Sequence, residues 1–235
     1  MNHIPHAQPT ARFDIYHRIH KALRACMADT LLWVGRLDCA DPHDVGAAMA
    51  QVRSIAAFCA SHLDHEDDFV HPALEAQQPG AAQHTEHEHG HHAATCAHLA
   101  ALADAVEAAH GAQVPVAARQ LYRALALFLA DSIVHMEMEE TDNNAVLWAG
   151  HSDEQLIAIE HAIVASLTDQ ERAVTLRWMM PAMTPTERLA LLEGVRSQAP
   201  APVFAGILAG VQALLAGNDW VKLCNGLGRT QRLAA

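Results

Sequence analysis

Two short stretches each place a histidine and a glutamate one helical turn apart: His62-Leu63-Asp64-His65-Glu66 and His135-Met136-Glu137-Met138-Glu139. Residues four apart share a face of an α-helix, so each stretch points an imidazole and a carboxylate the same way. Both pairs continue apolar stripes. Val52, Ile55, Phe58 and Cys59 lead into His62, and Leu121, Leu125, Phe128 and Leu129 lead into His135. Such a stripe faces a core, where an imidazole or carboxylate without a partner costs several kcal/mol. A chain that carries both pairs inward must bring them a partner, and histidine with carboxylate is a donor set for a transition metal.

Two further segments carry the same chemistry. A helical pattern begins at Phe13, with Ile19, Leu23, Cys26, Met27 and Leu31 recurring at steps of three and four; His20 belongs to that stripe and His17 lies one turn earlier. The tract His84-Thr85-Glu86-His87-Glu88-His89-Gly90-His91-His92 opens a third helix. Its core stripe, read backwards from Val106 through Leu102, Leu99 and Thr95, arrives at His91 or His92. The tract offers the one-turn pairs His84/Glu88, His87/His91 and Glu88/His92, and spacing alone does not choose among them. Asp41-Pro42, Gln78-Pro79-Gly80, Gly111 with Pro115, and Gly150 punctuate the chain, with Asp44 as the cap expected for the second helix and Pro72 as a kink or end. Four helices of similar length with short links predict an all-α, up-down four-helix bundle.

The texture changes after residue 150. Ser152-x-x-Gln155, Thr168-x-x-Glu171 and Thr184-Pro185-Thr186-Glu187 are successive capping boxes, followed by a helix after Ala199-Pro200-Ala201-Pro202 and a short one after Asn218. The expected organisation is a lead-in at 1–12, a bundle with the metal site at 13–150, and a region of short helices at 151–235. A net charge of -12 with only 15 Lys+Arg argues against nucleic acid or an anionic membrane as partner. The five cysteines (Cys26, Cys39, Cys59, Cys96, Cys224) are scattered without a C-x-x-C pair and read as reduced. With no apolar run near either a signal peptide or a membrane span, the expected location is cytoplasmic. His65, His71, His89, His98 and His110 read as surface residues, and Asp64, Asp67 and Asp68 as a solvated face.

Nitrogen and oxygen donors without cysteine suit iron, manganese or zinc. One group from the first helix and two from each other helix make seven ligands, too many for one ion and right for two bridged ions. Residues 13–148 resemble the hemerythrin family, the HHE cation-binding domain, in Ile19-His20-Lys21-Ala22-Leu23, His62-Leu63-Asp64-His65-Glu66-Asp67, the His-x-x-x-His of His87 and His91, and His135 followed by Glu139 or Glu140. The resemblance implies a metal set of His20, His62, Glu66, His87, His91, His135 and Glu139, holding two bridged iron ions, with zinc or manganese as alternatives. It implies binding or sensing of dioxygen or iron, the partner being dioxygen or another small diatomic ligand, with no catalytic side chain required and a homodimer allowed. Two alternatives follow: a di-iron oxidoreductase acting on peroxide, nitric oxide or damaged iron clusters, and a metal-dependent regulatory module with 151–235 as its output. Glu88 in place of a histidine would make the site richer in carboxylate and less suited to reversible oxygen carriage.

Overall fold

Asp14 accepts the backbone N–H groups of Tyr16 and His17 and so sets the start of α1 (His17–Gly35). This is a computed structural model, which describes residues 12–228; of the lead-in expected at 1–12, all but Arg12 lies outside that range. The second helix, α2 (Pro42–His65), is capped by Asp41, which accepts the His43 N–H, with Pro42 in the first turn where its missing donor costs nothing. Asp44, expected as that cap, instead accepts from the Trp33 indole at 3.0 Å and the Asp38 backbone at 2.9 Å, tying the α1–α2 link.

The second helix does not run unbroken to Leu74. After His65 the backbone widens into a π turn, Glu66–Val70, and resumes as α3 (His71–Gln77) with Pro72 in its first turn. After a turn at Gly80, where φ is 86°, comes α4 (Gln83–Ala108). Next is α5 (Gln113–Met138), which takes Pro115 into its first turn rather than starting after it. A second π turn, Glu139–Asn143, leads into α6 (Asn144–Gly150). Proline lies next to the first π turn only. Both begin at the glutamate of a His-x-x-x-Glu pair, and π turns often sit at functional sites.

Neighbouring contacts run α1–α2, α2–α4, α4–α5 and α5–α1, which closes the four long helices into a ring. Their shared core holds Leu23, Met27, Val52, Ile55, Leu99, Leu121 and Phe128, with Cys26, Cys59 and Cys96 among them. No disulfide links the cysteines among the described residues. His20, His62, His89 and His135 all fall at one end of the bundle. Above them Ile15, Tyr16, Val70, Leu74, Leu147 and Leu156 form a second apolar cluster that closes that end.

The three capping boxes form as expected and open α7 (Asp153–Ser166), α8 (Asp169–Ala182) and α9 (Pro185–Gln198). Then follow α10 (Ala201–Leu214) and α11 (Gly217–Gly226). These helices have a core of their own, with Met180, Leu192, Phe204, Leu208 and Trp220, while α8 also lies along α1. Among the described residues no helix is long and apolar enough to cross a membrane.

Buried Arg188 ties this region together. Its guanidinium donates to the carbonyls of Met180 and Pro181 at 2.7 and 2.9 Å, satisfying the end of α8, and pairs with Asp219 of α11 at 2.9 Å. Replacing it leaves the Met180 and Pro181 carbonyls without their donor and takes the nearer of two cations from Asp219, so Arg188→Ala should cost about 2 kcal/mol in urea unfolding. A loss below about 0.5 kcal/mol, the usual range for a surface change, would show that this joint carries no weight.

Candidate metal centre

Both His-x-x-x-Glu pairs sit at the C-terminal ends of their helices, and α1 and α4, running the other way, each bring one imidazole to the same level. His20, Glu66, His89, His135 and Glu139 are at most 4 % exposed, and the His62 side chain is 10 % exposed. Glu66 Oε1 lies 3.6 Å from His20 Nε2 and 3.3 Å from His62 Nε2, while Glu66 Oε2 lies 3.5 Å from His89 Nε2. Glu139 mirrors this, with Oε2 3.5 Å from His20 Nε2 and Oε1 3.5 and 3.3 Å from His89 and His135 Nε2. Two nests result: His20 and His62 with one oxygen of each glutamate, and His89 and His135 with the other oxygens.

None of these four Nε2 atoms or four carboxylate oxygens has a hydrogen-bond partner. Their separations suit a different arrangement. Two donors each about 2.1 Å from a common ion stand about 3.0–3.5 Å apart when they subtend about 90–110°. The opposite nitrogens are occupied. His20 Nδ1 donates to Glu140 at 2.9 Å, His89 Nδ1 to Asp67 at 2.6 Å and His135 Nδ1 to Glu88 at 2.8 Å. A proton held on Nδ1 leaves the Nε2 lone pair free and fixes the ring, the usual support of a metal-binding imidazole. His62 alone has no such carboxylate.

The electrostatics show what the cluster does with protons alone. Burial pulls His20 down, but Glu140 with nearby Glu66 and Glu139 outweighs it and holds the ring at about 9. Glu139 and Glu88 likewise lift His135 to about 9 against its burial. Burial and neighbouring Glu139 push Glu66 up to about 7, whereas His135 and His89 hold Glu139 well below the usual carboxylate range despite burial. Burial and the His20 charge drive His62 well down. Tyr16, its ring tilted 5.2 Å from that of His20, is raised by burial and by both glutamates; its hydroxyl completes no hydrogen bond, though Asn143 is close enough to moderate it.

Of the residues read from sequence, His20, His62, Glu66, His135 and Glu139 come together, and His87 and His91 do not. Both are exposed. The buried stripe of α4 is Thr85, His89, His92, Cys96, Leu99, Ala103 and Val106, an alternation of three- and four-residue steps. Stepping from Leu99 to Thr95 instead of Cys96 shifts the register and leads to exposed His91 as readily as to buried His92, bypassing His89. His89 therefore takes the inward place, and its reading as a surface residue is corrected. So is that of His71, which is buried, stacks 4.8 Å from the His89 ring and shares Asp67. His92 donates to Asp131 and sets its ring edge-on to His135, and Glu88 and Glu140 support rings instead of joining the nests. His17 and His84 point outward, to Glu187 and Glu88. Asp67 is exposed, as expected of a solvated face, and also anchors His89. The acid that follows each inward glutamate, Asp67 or Glu140, was the available signal.

The class this fold and site define is an all-helical protein with buried His/Glu clusters able to hold metal. Compared with known protein families, curated proteins and solved structures, the chain finds no match.

His89→Ala should release at least one ion in equilibrium dialysis with iron(II) or zinc, while His87→Ala and His91→Ala retain the full complement. Asp67→Ala should weaken uptake by about 10–100-fold by freeing the His89 ring. Metal loss from His87→Ala with none from His89→Ala would reverse the assignment.

Proposed function

We propose that this chain is a non-haem di-iron protein of hemerythrin type that binds or senses dioxygen or another diatomic gas. The observation that carries the reading is the set of eight buried donor atoms without partners, split evenly between two nests that share both glutamates. Each nest supplies two imidazole nitrogens and two carboxylate oxygens. Four donors complete a tetrahedral zinc site but leave an octahedral ion open, and mixed imidazole and carboxylate donors favour iron over magnesium or calcium. Iron so held would supply open positions where a small gas is bound and reduced. The chain's own part is to hold ring and carboxylate orientations through Asp67, Glu88 and Glu140, and to keep bulk water away with the Ile15–Leu156 cluster.

A second reading, an oxidoreductase acting on peroxide or nitric oxide, draws on the single imidazole from α4, which leaves more of the coordination to carboxylate. The two readings separate by turnover. Chain purified without a His-tag should carry close to two irons and show a near-ultraviolet band that appears with oxygen; steady-state consumption of peroxide or nitric oxide, lost in His62→Ala, would select the enzyme. Stoichiometry of one ion, or zinc alone, would refute the di-iron reading.

Metal uptake should also compete with protons. His20 and His135 hold theirs up to about 9 when no cation neutralises the glutamates, and both must give them up to bind. Affinity should therefore climb with pH, by about tenfold per unit for each proton released, and level off near pH 9. An indicator-dye titration at pH 7.5 showing no acidification on metal addition would contradict this.

A further inference from the structure

The two nests are related by an approximate two-fold repeat, and they differ at one point that opens the protein. Glu88, just before His89, holds the His135 ring; the matching residue before His20 is Ile19, which holds nothing, and His62 lacks a carboxylate on its second nitrogen. A cavity of about 110 Å³ lies here, between α1, α2 and the overlying α7 and α8. Its inner wall includes Tyr16, His62 and Glu66, and its sides are Ile19, Phe58, Ile163 and Leu167.

Its charged wall groups are already engaged. Glu160 takes both oxygens to Arg18 at 2.7 and 2.9 Å, and Glu171 accepts from Ser61 at 2.6 Å while capping α8. Of the polar groups left in the wall, other than the proposed metal donors, the deepest is the Tyr16 hydroxyl, 1 % exposed and without a hydrogen-bond partner; Thr175 and His65 lie nearer the rim. An apolar cavity of about 150 Å³ is enough to hold benzene, so this one, about three-quarters of that size and not fully enclosed, takes roughly five to six heavy atoms. A charged ligand would meet apolar side walls and acids already paired.

We propose that this cavity is a binding site for a small uncharged organic molecule of about one ring, with a single hydrogen-bond-accepting atom that meets the Tyr16 hydroxyl. Its placement beside a metal ion rests on the function proposed above; the cavity and the hydroxyl do not. A diatomic gas would leave most of the volume empty, so the site serves a second, larger ligand that reaches the His62–Glu66 edge. The C-terminal helices supply the roof, which gives this region a part in selecting what approaches the centre.

The probe is cyclopentanone, with cyclopentane lacking the acceptor and cyclopentanecarboxylate carrying charge. Titrated into full-length, methyl-labelled chain, cyclopentanone should give saturable shifts at Ile19, Ile163 and Leu167. Cyclopentane should bind about fivefold more weakly, as loss of one hydrogen bond requires, and the carboxylate should not bind. Tyr16→Phe should erase the difference between ketone and hydrocarbon. Ile163→Trp, on the solvent-facing helix α7, should fill the cavity and cut binding at least about tenfold with metal content unchanged. Absence of saturable shifts in wild-type chain, or unaltered cyclopentanone binding by Ile163→Trp, overturns the inference whatever Tyr16→Phe does. Two ions per chain with no cyclopentanone response refutes the cavity site alone; cyclopentanone binding by a chain that takes no metal supports it and refutes the metal reading.

Discussion

Eight buried donor atoms face one another at one end of the bundle with no hydrogen bonds between them. At about 1–3 kcal/mol for each stranded polar group, their combined cost would rival the 5–15 kcal/mol that holds an ordinary domain together. Positive charge placed among them would relieve that cost. Protons can serve in part, which is what the lifted values of His20, His135 and Glu66 express, but burial and the His20 charge drive His62 the other way and leave its nitrogen unprotonated. A pair of cations would serve all eight at once. The apolar cores below and above the cluster have the same consequence: they deny water to groups that would otherwise be solvated, and make a metal the economical answer.

The ring of acids around the centre is more regular than the sequence suggests. Asp67 follows Glu66 and fixes His89; Glu140 follows Glu139 and fixes His20. Each inward glutamate is thus followed by the acid that orients an imidazole on a neighbouring helix, and each starts a π turn that widens the backbone where the two acids diverge. The repeat then breaks. Where His71 follows the first pair, Asn144 follows the second, and Tyr16 beside His20 is matched by Thr85 beside His89. One nest is enclosed by imidazoles and acids, the other by a phenol and a cavity, so the two nests are chemically inequivalent.

What the sequence made legible follows from range. His62/Glu66 and His135/Glu139 are local patterns, and the stripes leading into them have only one reasonable register. The capping boxes at Ser152, Thr168 and Thr184 are likewise complete within four residues. The third helix defeated the same method because its first half is histidine on several faces and its second half alanine on several faces, so nothing local distinguishes Thr95 from Cys96. Only packing against α2 and α5 decides that Cys96, and with it His89 and His92, turns inward. The π turns had no signal either, since a widened turn depends on where a carboxylate must reach.

The destination of the C-terminal helices was equally hidden, and it bears on the centre. Glu160 of α7 holds Arg18, Glu171 of α8 holds Ser61, and Glu187 of α9 gathers Lys21 and His17. All of these contacts fall on the ends of α1 and α2 that carry His20 and His62; the His89/His135 nest receives none. Partly exposed ion pairs of this kind add little stability, roughly 0–1 kcal/mol each, so their consequence is positional. They register a separately cored group of helices against one half of the site and leave the other half to the bundle. A change in how α7–α9 sit would therefore reach the His20/His62 nest and the cavity beside it first, and the His89/His135 nest only through the two shared glutamates.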